Sequence, residues 1–510
     1  MRAPLLLLAG YALLLAAWVV GNPPFAAPDE ANHYLRAIGI SEGQLVGERS
    51  GYEDSGLNPK QAAFTRQTAT QVTVPAGLAP DNFGCTADRP TEPAACQLGA
   101  GSPQEEVVRA TAVGTYLPLP YLLPAAAMRA GDDPAAADRW GRSASALVFL
   151  AFLAAATFAL WDRTRGAISL LGLAAAVTPM AIFCGAILNG SGLEIAAAIA
   201  FTAALLRLGR DGPSPPGLWA LIAVSGAALA LSRPVGPQWI VIAVALGVSL
   251  LGWDGTRRRV REAGVAGRVA LAAIVVATIL NRVWEGIHGA GYHLGVKPLP
   301  DSLLSIPRGS KRIVPEVIGN FGVLDTRLPS LAWLTGYLLI GVLLMLALRL
   351  GSTRERRVVI GATLVAALLP GVEQWLLYRH TGFWIQGRYF LPILLAAPLL
   401  YGEVVLRRSD TLPSIWRRRL PPLFMGVAAA LQLAGWWVNS RRYAVGTDGP
   451  AWFFGQAEWT PPGGWTVWAA LATAGAAAMA MAAVVRSAGG ASGTVDDPRA
   501  RGALAAPNPP

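Results

Sequence analysis

The sequence predicts an all-α polytopic membrane protein with about twelve transmembrane helices. Of its 510 residues, 53% are hydrophobic and only 14% are charged, which sets the chain apart from ordinary soluble domains. Apolar runs long enough to cross a bilayer recur along the chain. The net charge of +11 comes largely from arginines that cluster in short loops between those runs. This placement indicates membrane topology rather than a nucleic-acid partner.

The apolar runs and the basic loops together predict how the chain crosses the membrane. The predicted spans are 5–20, 143–160, 167–188, 193–208, 217–232, 237–252, 268–284, 331–350, 358–378, 389–406, 421–438 and 464–485. The arginine-rich loops are 161–166, 207–217, 254–268, 349–357 and 407–419. Because short basic loops remain in the cytoplasm, we expect a multi-pass plasma-membrane protein with both termini cytoplasmic. The first run is interpreted as an uncleaved anchor, since it is long for a signal peptide and further spans follow.

The segment 115–130 is predicted to lie along the outer membrane surface, or to dip into it, rather than to cross. It contains three prolines within its first ten residues, which make a poor full span. If it crossed, every later arginine-rich loop would face outward, against the rule that fixes the topology.

Three long segments are then extracytoplasmic, and a short tail follows the membrane domain of residues 1–485. The outer segments are 21–142, which holds the surface helices, 285–330 and 439–463. Within the first, residues 43–101 are rich in Gly, Pro, Thr and Asp and are expected to form an irregular lobe. The tail at 486–510 is composed of small residues and proline and is expected to be disordered.

The motif at residues 22–36 follows the first span directly. A helix over 28–42 would begin with Pro28 and place Asp29, Asn32, His33 and Arg36 on one face. Asp29, with Glu30 beside it, is then a candidate general base toward a substrate hydroxyl at the outer membrane surface. The alternative is that both acids only favour the start of a helix through its dipole.

Three further outer positions carry polar groups. In the loop 189–194, Ser191 and Glu194 have the spacing of a capping box, while Glu194 is alternatively a second acidic group facing Asp29. Arg388 opens the predicted span 389–406, where a guanidinium is unfavourable with the helix dipole. It therefore indicates a bound phosphate, the alternative being contact with lipid headgroups.

Arg142 and Arg233 also fall outside, as headgroup contacts or as partners for the carboxylates. Cys85 and Cys96 lie in the first outer loop and are expected to form a disulfide, the alternative being two free thiols. Cys184 lies in an apolar run and is interpreted as a core residue.

Metal and sugar sites are less well supported by the residues. His288 and His293 are five apart without acidic or cysteine companions, so no metal site is predicted there. The C-terminal tryptophans are interpreted as an interfacial belt, with sugar stacking as the alternative. They are Trp436, Trp437, Trp452, Trp459, Trp465 and Trp468.

Four motifs together resemble a bacterial family of membrane proteins, domain of unknown function 2142. They are PPFAAPDEANH at 23–33, YLPLPYLL at 116–123, NGSGLE at 189–194 and QGRYFLP at 386–392, and the resemblance extends from about residue 5 to about residue 440. That family is in turn similar to the large membrane glycosyltransferases with the C-type fold, such as oligosaccharyl, mannosyl and aminoarabinose transferases.

The resemblance implies a C-type arrangement of helices and a catalytic role for Asp29. In those enzymes an Asp at the start of the first outer loop is the base, and a second acidic site in the next outer loop corresponds here to Glu194. The candidate substrate-binding residues are His33, Arg36, Tyr116, Tyr121, Arg142, Asn189, Arg233, Arg388 and Tyr389. The chain lacks a second Asp-x-Asp motif, so no cofactor is predicted and a divalent metal is not supported.

The function expected from these residues is that of an inverting glycosyltransferase. It would move a sugar from a polyprenyl-phosphate donor to a glycan or lipid acceptor outside the membrane, with Asp29 as the base. The main alternative is a transporter or a flippase for lipid-linked sugars, which twelve spans would also suit. A third is a scaffold for partner enzymes of an envelope pathway.

Overall fold

The computed structural model describes residues 2–49, 67–80, 85–97, 106–212, 214–215, 217–289 and 296–485, and the chain over these residues is mainly helical. The helices are α1 Arg2–Gly21, α2 Glu30–Ser41, α3 Leu119–Met128, α4 Pro134–Leu160, α5 Leu171–Ala176, α6 Pro179–Gly185, α7 Gly190–Leu208, α8 Leu218–Ser232, α9 Gly236–Leu251, α10 Trp253–Ala263, α11 Val265–His288, α12 Leu299–Ile318, α13 Ser330–Leu350, α14 Thr353–Thr381, α15 Leu391–Leu394, α16 Ala396–Arg407, α17 Ser414–Val445 and α18 Gly464–Ala482. Short 3₁₀ turns occupy Ala94–Gln97, Gly166–Leu170, Gly387–Phe390 and Ser409–Thr411. His293 and the predicted tail at 486–510 lie outside the described residues.

The described helices include nine that are long and apolar enough to cross a membrane, or up to eleven if each of two bent pairs counts as one span. The prediction of an all-α polytopic membrane protein is confirmed at this level. The predicted span 217–232 corresponds to α8, whose 15 residues make it shorter than the other candidates.

The two bent pairs have local causes in the sequence. Between Gly166–Ala176 and Pro179–Gly185 the axis turns by 72°. Here Pro179 cannot donate a backbone hydrogen bond and Thr178 caps the new helix by accepting from the Ala181 amide at 3.2 Å. Between α9 and α10 the axis turns by 104° at Gly252, whose φ of +83° few other residues adopt.

The segment predicted to lie on the surface forms α3, which has ten residues and contains Pro124. Its length is about 15 Å, half the thickness of the hydrocarbon core, so this helix by itself is too short to cross a bilayer. It packs against α2 and α4.

The lobe at 43–101 was predicted to be irregular, and its described part differs from that prediction. Strands β1 Glu48–Arg49, β2 Thr70–Val74 and β3 Val107–Thr111 form an antiparallel sheet. Val72 and Val74 point inward and pack with Tyr34 and Ile38 of α2 in a small core. A second, two-stranded ribbon pairs β4 Asn320–Phe321 with β5 Thr326–Arg327. Cys85 and Cys96 are joined by a disulfide, and Cys184 is buried.

The arginine-rich loops meet one another at one end of the helical bundle. Arg210 forms an ion pair with Glu403 at 2.7 Å, and Arg408 forms one with Glu355 at 2.9 Å. Arg259 donates to the Arg210 carbonyl at 2.6 Å, which adds α10 to the group. The helix α14 and the helical segment Gly387–Arg407 both run from this end to the other. The motif that follows α1 lies at the opposite end, because Asp29 contacts Arg388 in the connection between α14 and α15.

Candidate active site

A cavity of about 270 Å³ opens at the end of the bundle opposite the arginine-rich loops. Five separate segments of the chain meet around it. Its lining residues are Asp29, Asn32, His33, Ala112, Val113, Tyr116, Gly190, Ser191, Arg233, Leu377, Phe383, Trp384, Gln386, Arg388 and Tyr389. The structure thus brings together polar side chains from three of the four motifs singled out in the sequence, and Tyr116 from the fourth.

Asp29 presents its carboxylate to this cavity. The predicted helix start at Pro28 is wrong, because two tight turns, from Pro23 to Ala26 and from Ala27 to Glu30, precede α2. Asp29 is instead the residue before the helix, in the left-handed conformation with φ 60°, and its side chain caps nothing. The side chain is surrounded by protein yet remains 44% exposed, so a ligand in the cavity can reach it.

Arg388 lies beside Asp29 in the wall of the cavity and forms an ion pair with it. The guanidinium is 1% exposed, and its Nε donates to Gln386 Oε1 at 2.6 Å. Burial alone would raise the pKa of Asp29, but the positive charges of Arg388 and, more weakly, Arg233 lower it below its ordinary value. The carboxyl group is therefore ionised at neutral pH.

Glu30 does not line the cavity, although it is adjacent to Asp29 in the sequence. It is fully buried and forms an ion pair with Arg142, whose Nε and Nη2 lie 2.8 Å and 2.5 Å from its two oxygens. Arg142 also contacts Asp138 at 2.9 Å and donates to the carbonyls of Asn22 and Pro23 at 2.8 Å and 2.7 Å. These contacts hold the turns that present Asp29, so the structure places Glu30 and Arg142 in the support of the site.

The loop at 189–194 is organised differently from the predicted capping box, which is wrong. Asn189 caps α7, because its side chain accepts from the amides of Ser191 and Gly192 at 2.9 Å and 3.2 Å. Glu194 is buried, accepts from Trp239 Nε1 at 2.8 Å, and lies 3.6 Å from an Arg233 nitrogen. Asn189 and Glu194 therefore support the cavity from behind.

Arg233 and Arg388 both line the cavity and both lie close to the Tyr389 ring. Their guanidinium carbons lie 4.3 Å and 5.1 Å from the ring centre, which is within the range of cation–π contacts. Arg233 also donates to Ser191 Oγ at 3.3 Å. Burial would lower the pKa of Arg233, but Glu194 and then the nearby tyrosines raise it. Two permanent positive charges thus border one small polar space.

His33 lines the cavity but is uncharged at neutral pH. Its Nδ1 shares a hydrogen bond with Tyr121 Oη at 2.7 Å, and burial, together with Arg388 and Arg233, lowers its pKa to about 3 despite the opposing effect of Asp29. Tyr121 lies behind it and is buried.

Arg36 is also buried behind the cavity rather than in it. It donates to the Tyr116 carbonyl at 2.6 Å, and burial lowers the pKa of its guanidinium to about 10. Arg36 therefore fixes the segment that carries the Tyr116 side chain to the cavity wall.

Sequence reasoning gave no role to four residues of the site, of which only Asn32 was placed on the predicted helix face that carries Asp29. Gln386 orients Arg388 and was signalled only by its place in the same motif. Asn32 holds the end of β3, since its Oδ1 accepts from the Ala112 amide at 2.9 Å. Trp384 lines the cavity. Asp138 had no signal in the sequence; its partner Arg142 was expected to contact either lipid headgroups or carboxylates, and the structure pairs it with the carboxylates of Glu30 and Asp138.

The described residues contain no group of three or more His, Cys, Asp and Glu side chains arranged to hold a metal ion. His288 lies against Trp284, with ring centres 4.5 Å apart. Among the histidines of the described residues, His33 is the one that lines the cavity, and it is also the one that was placed at the site from the sequence.

The fold and the site together define a polytopic α-helical membrane protein with a charged cavity at one end of its bundle. The chain belongs to the family described as "Predicted membrane protein (DUF2142)", which matches residues 12–397. No curated protein and no solved structure matches the chain.

Proposed function

We propose that this protein is an inverting glycosyltransferase that takes a sugar from a polyprenyl-phosphate donor. The observation that carries the proposal is the accessible Asp29 carboxylate facing the buried Arg388 and, beside it, Arg233 in a single cavity. A base and an anion site at contact distance are the two groups that such a transfer needs. Asp29 receives the proton, and the guanidinium groups bind the phosphate.

The donor phosphate would replace Asp29 as the partner of Arg388. A guanidinium binds phosphate through two parallel hydrogen bonds, and Arg233, which also lies against Tyr389, supplies a second positive charge. When Arg388 turns to the phosphate, Asp29 loses the strongest influence that lowers its pKa. Donor binding thereby makes the carboxylate a better proton acceptor.

The transfer step itself needs one base. The acceptor hydroxyl gives its proton to Asp29 as its oxygen attacks the anomeric carbon from the face opposite the phosphate. The bond between that carbon and the phosphate oxygen breaks, and the phosphate leaves as an anion stabilised by Arg388 and Arg233. The configuration at the anomeric carbon is inverted, and Asp29 later returns the proton to water.

The finer features of the architecture belong to the same proposal. Twelve spans in a C-type arrangement, with α8 as the shortest and α3 on the surface, would place the cavity at the outer leaflet of the plasma membrane. Both termini and the arginine-rich end would then face the cytoplasm. The acceptor would be a glycan or a lipid of the cell envelope.

The test is Asp29→Asn in protein reconstituted into vesicles with lipid-linked sugars extracted from a strain lacking the gene. Asn keeps the size of the side chain and tolerates the left-handed backbone of this position, so the variant should fold normally. We expect transfer to fall by about 100-fold or more, since a positioned base contributes on the order of 10²–10⁴. Asp301→Asn, an exposed acid in the first turn of α12, is the matched control and should remain active.

The alternative of a transporter or flippase predicts a different result in the same vesicles. Labelled lipid-linked sugar would then move across the bilayer at a rate unaffected by Asp29→Asn, and no glycosylated product would form. Full sugar transfer by Asp29→Asn would also reject the proposal.

A further inference from the structure

A second cavity, of about 580 Å³, lies between α9, α14 and α15–α16 in the half of the bundle nearer the arginine-rich end. No residue lines both this cavity and the one that contains Asp29. Most of its wall is aliphatic, as at Val241, Leu246, Val365 and Ile393. We call this space the basal groove.

The basal groove is as long as one leaflet of a bilayer is thick. On α14 it extends from Arg354 to Val365, a distance of eleven residues, and on α9 from Ser249 to Val241, a distance of eight residues. Eight to eleven residues of helix rise about 12–17 Å, and one leaflet contributes about 15 Å of hydrocarbon. An acyl chain from the leaflet at the arginine-rich face therefore fits its length.

The end of the basal groove nearest the basic loops is positively charged. Arg354 and Arg357 both line it, and Arg354 is held by a hydrogen bond from its Nε to the Ser249 carbonyl at 3.0 Å. That bond leaves the two terminal nitrogens of Arg354 available to a ligand. The intervening Glu355 is paired with Arg408 at 2.9 Å and does not line the groove, so it does not neutralise the two arginines.

The neighbouring helix α10 is basic and suits contact with an anionic lipid headgroup. It carries four arginines in eleven residues and bends 104° away from α9. Trp253, at its first position, is 65% exposed, and tryptophan favours the boundary between hydrocarbon and headgroups. This places the charged end of the groove at the depth of lipid phosphates.

We propose that the basal groove binds one anionic phospholipid. Its phosphate contacts Arg354 and Arg357, and an acyl chain lies along α9 and α14. This is a binding site separate from the proposed transfer reaction, and it requires neither Asp29 nor Arg388.

The test uses the purified full chain in detergent, titrated with phosphatidylglycerol or with phosphatidylcholine of the same acyl chains, and native mass spectrometry to count bound lipid. We expect phosphatidylglycerol to bind more tightly. Each arginine near a membrane surface changes affinity by roughly fivefold, so Arg354→Gln with Arg357→Gln should weaken phosphatidylglycerol binding by roughly 25-fold. Arg356→Gln is the matched charge control, because Arg356 donates to the Arg349 carbonyl and does not line the groove.

A second variant tests the apolar part of the basal groove. Gly361 lines it, and a Cβ added there meets nothing within 4 Å, so Gly361→Leu should fold and block the acyl chain. Gly341→Leu is its control, since that glycine is equally open, is also in a helix, and lies away from the groove. We expect Gly361→Leu to weaken both lipids and Gly341→Leu to weaken neither.

Any one of four results would overturn the proposal. One is equal binding of the two lipids by the unaltered protein. A further one is a loss of lipid affinity in the control variants as large as that in the groove variants. A third is that glycerol phosphate competes for the groove as effectively as the whole lipid, which would make this a site for free phosphate. The fourth is that a polyprenyl phosphate displaces phosphatidylglycerol and that Gly361→Leu loses sugar transfer, which would make the groove part of the donor site.

Discussion

Replacing Glu30 by Gln should destabilise the protein far more than replacing its neighbour Asp29 by Asn. Each oxygen of Glu30 accepts two hydrogen bonds, from Arg142 and the Leu188 amide on one side and from Arg142 and the Ala27 amide on the other. A glutamine has the same shape, but in either orientation of its amide the NH₂ group replaces an accepting oxygen and faces two of these donors, which then lose their hydrogen bonds. It also removes one charge from a buried pair.

The expected loss is about 3–5 kcal/mol of unfolding free energy, the usual effect of removing one partner of a buried ion pair. Asp138, 2.9 Å from Arg142, keeps the guanidinium paired and should hold the loss toward the lower part of that range. A double-mutant cycle with Arg142→Gln isolates the interaction. The loss of unfolding free energy in the double variant should be smaller than the sum of the losses in the two single variants by at least about 1 kcal/mol.

The chain provides its own reporter for the measurement. Cys85 and Cys96 form a disulfide, and Cys184 is the remaining thiol and is buried. A thiol-reactive dye therefore labels Cys184 when the protein unfolds on heating. The unfolding midpoint should drop by roughly 5 °C or more in Glu30→Gln and stay near the original in Asp29→Asn. An unchanged midpoint in Glu30→Gln, with loss of transfer, would show that Glu30 is catalytic instead.

Two further predictions concern pH and helix packing. Because Arg388 holds the pKa of Asp29 below its ordinary value, transfer should persist as the pH falls through the range in which ordinary carboxyl groups become protonated. Arg388→Gln should move the acidic limit of its residual pH–rate profile to higher pH, since the effect of burial, which raises the pKa, is then opposed less strongly. Gly10→Leu should lower the unfolding midpoint strongly, because a Cβ on Gly10 would lie 2.6 Å from Met479 Cγ where α1 meets α18; Gly341→Leu, which meets nothing within 4 Å, should leave the midpoint unchanged.

The sequence is a good guide to the helices of this protein and a poorer one to its polar contacts. Apolar runs are local and long, so the approximate positions of the long apolar helices follow from the local sequence alone. Every residue of the segment Thr70–Val74 except Gln71 is β-branched, a signal typical of a strand, but the segment lies in a lobe that is otherwise rich in turn residues. Asn189, not Ser191, caps α7, because both types suit a cap and only the path of the chain decides between them.

The division of roles between Asp29 and Glu30 is the part of the site that sequence reasoning could not reach. The two acids are adjacent, and either fits the first turn of a helix. Arg142 lies 112 positions beyond Glu30 in the chain, and this distant contact selects Glu30 for burial. Asp29 is then left at the edge of the cavity, facing a residue 359 positions away. Contacts of this kind are set by tertiary packing, which no local pattern records.

The backbone at Asp29 supports a functional reason for that arrangement. A left-handed conformation at a residue with a Cβ costs about 1 kcal/mol, and Asp29 gains no capping bond in return. Asp29→Gly removes the strain, so we expect its unfolding midpoint to equal or exceed that of the unaltered protein while sugar transfer is lost. Asp29→Ala keeps the strain without the carboxylate, and should be both inactive and no more stable. Should Asp29→Gly instead unfold at clearly lower temperature, the Asp29–Arg388 pair would be holding the fold together, and the conformation of Asp29 would need no catalytic explanation.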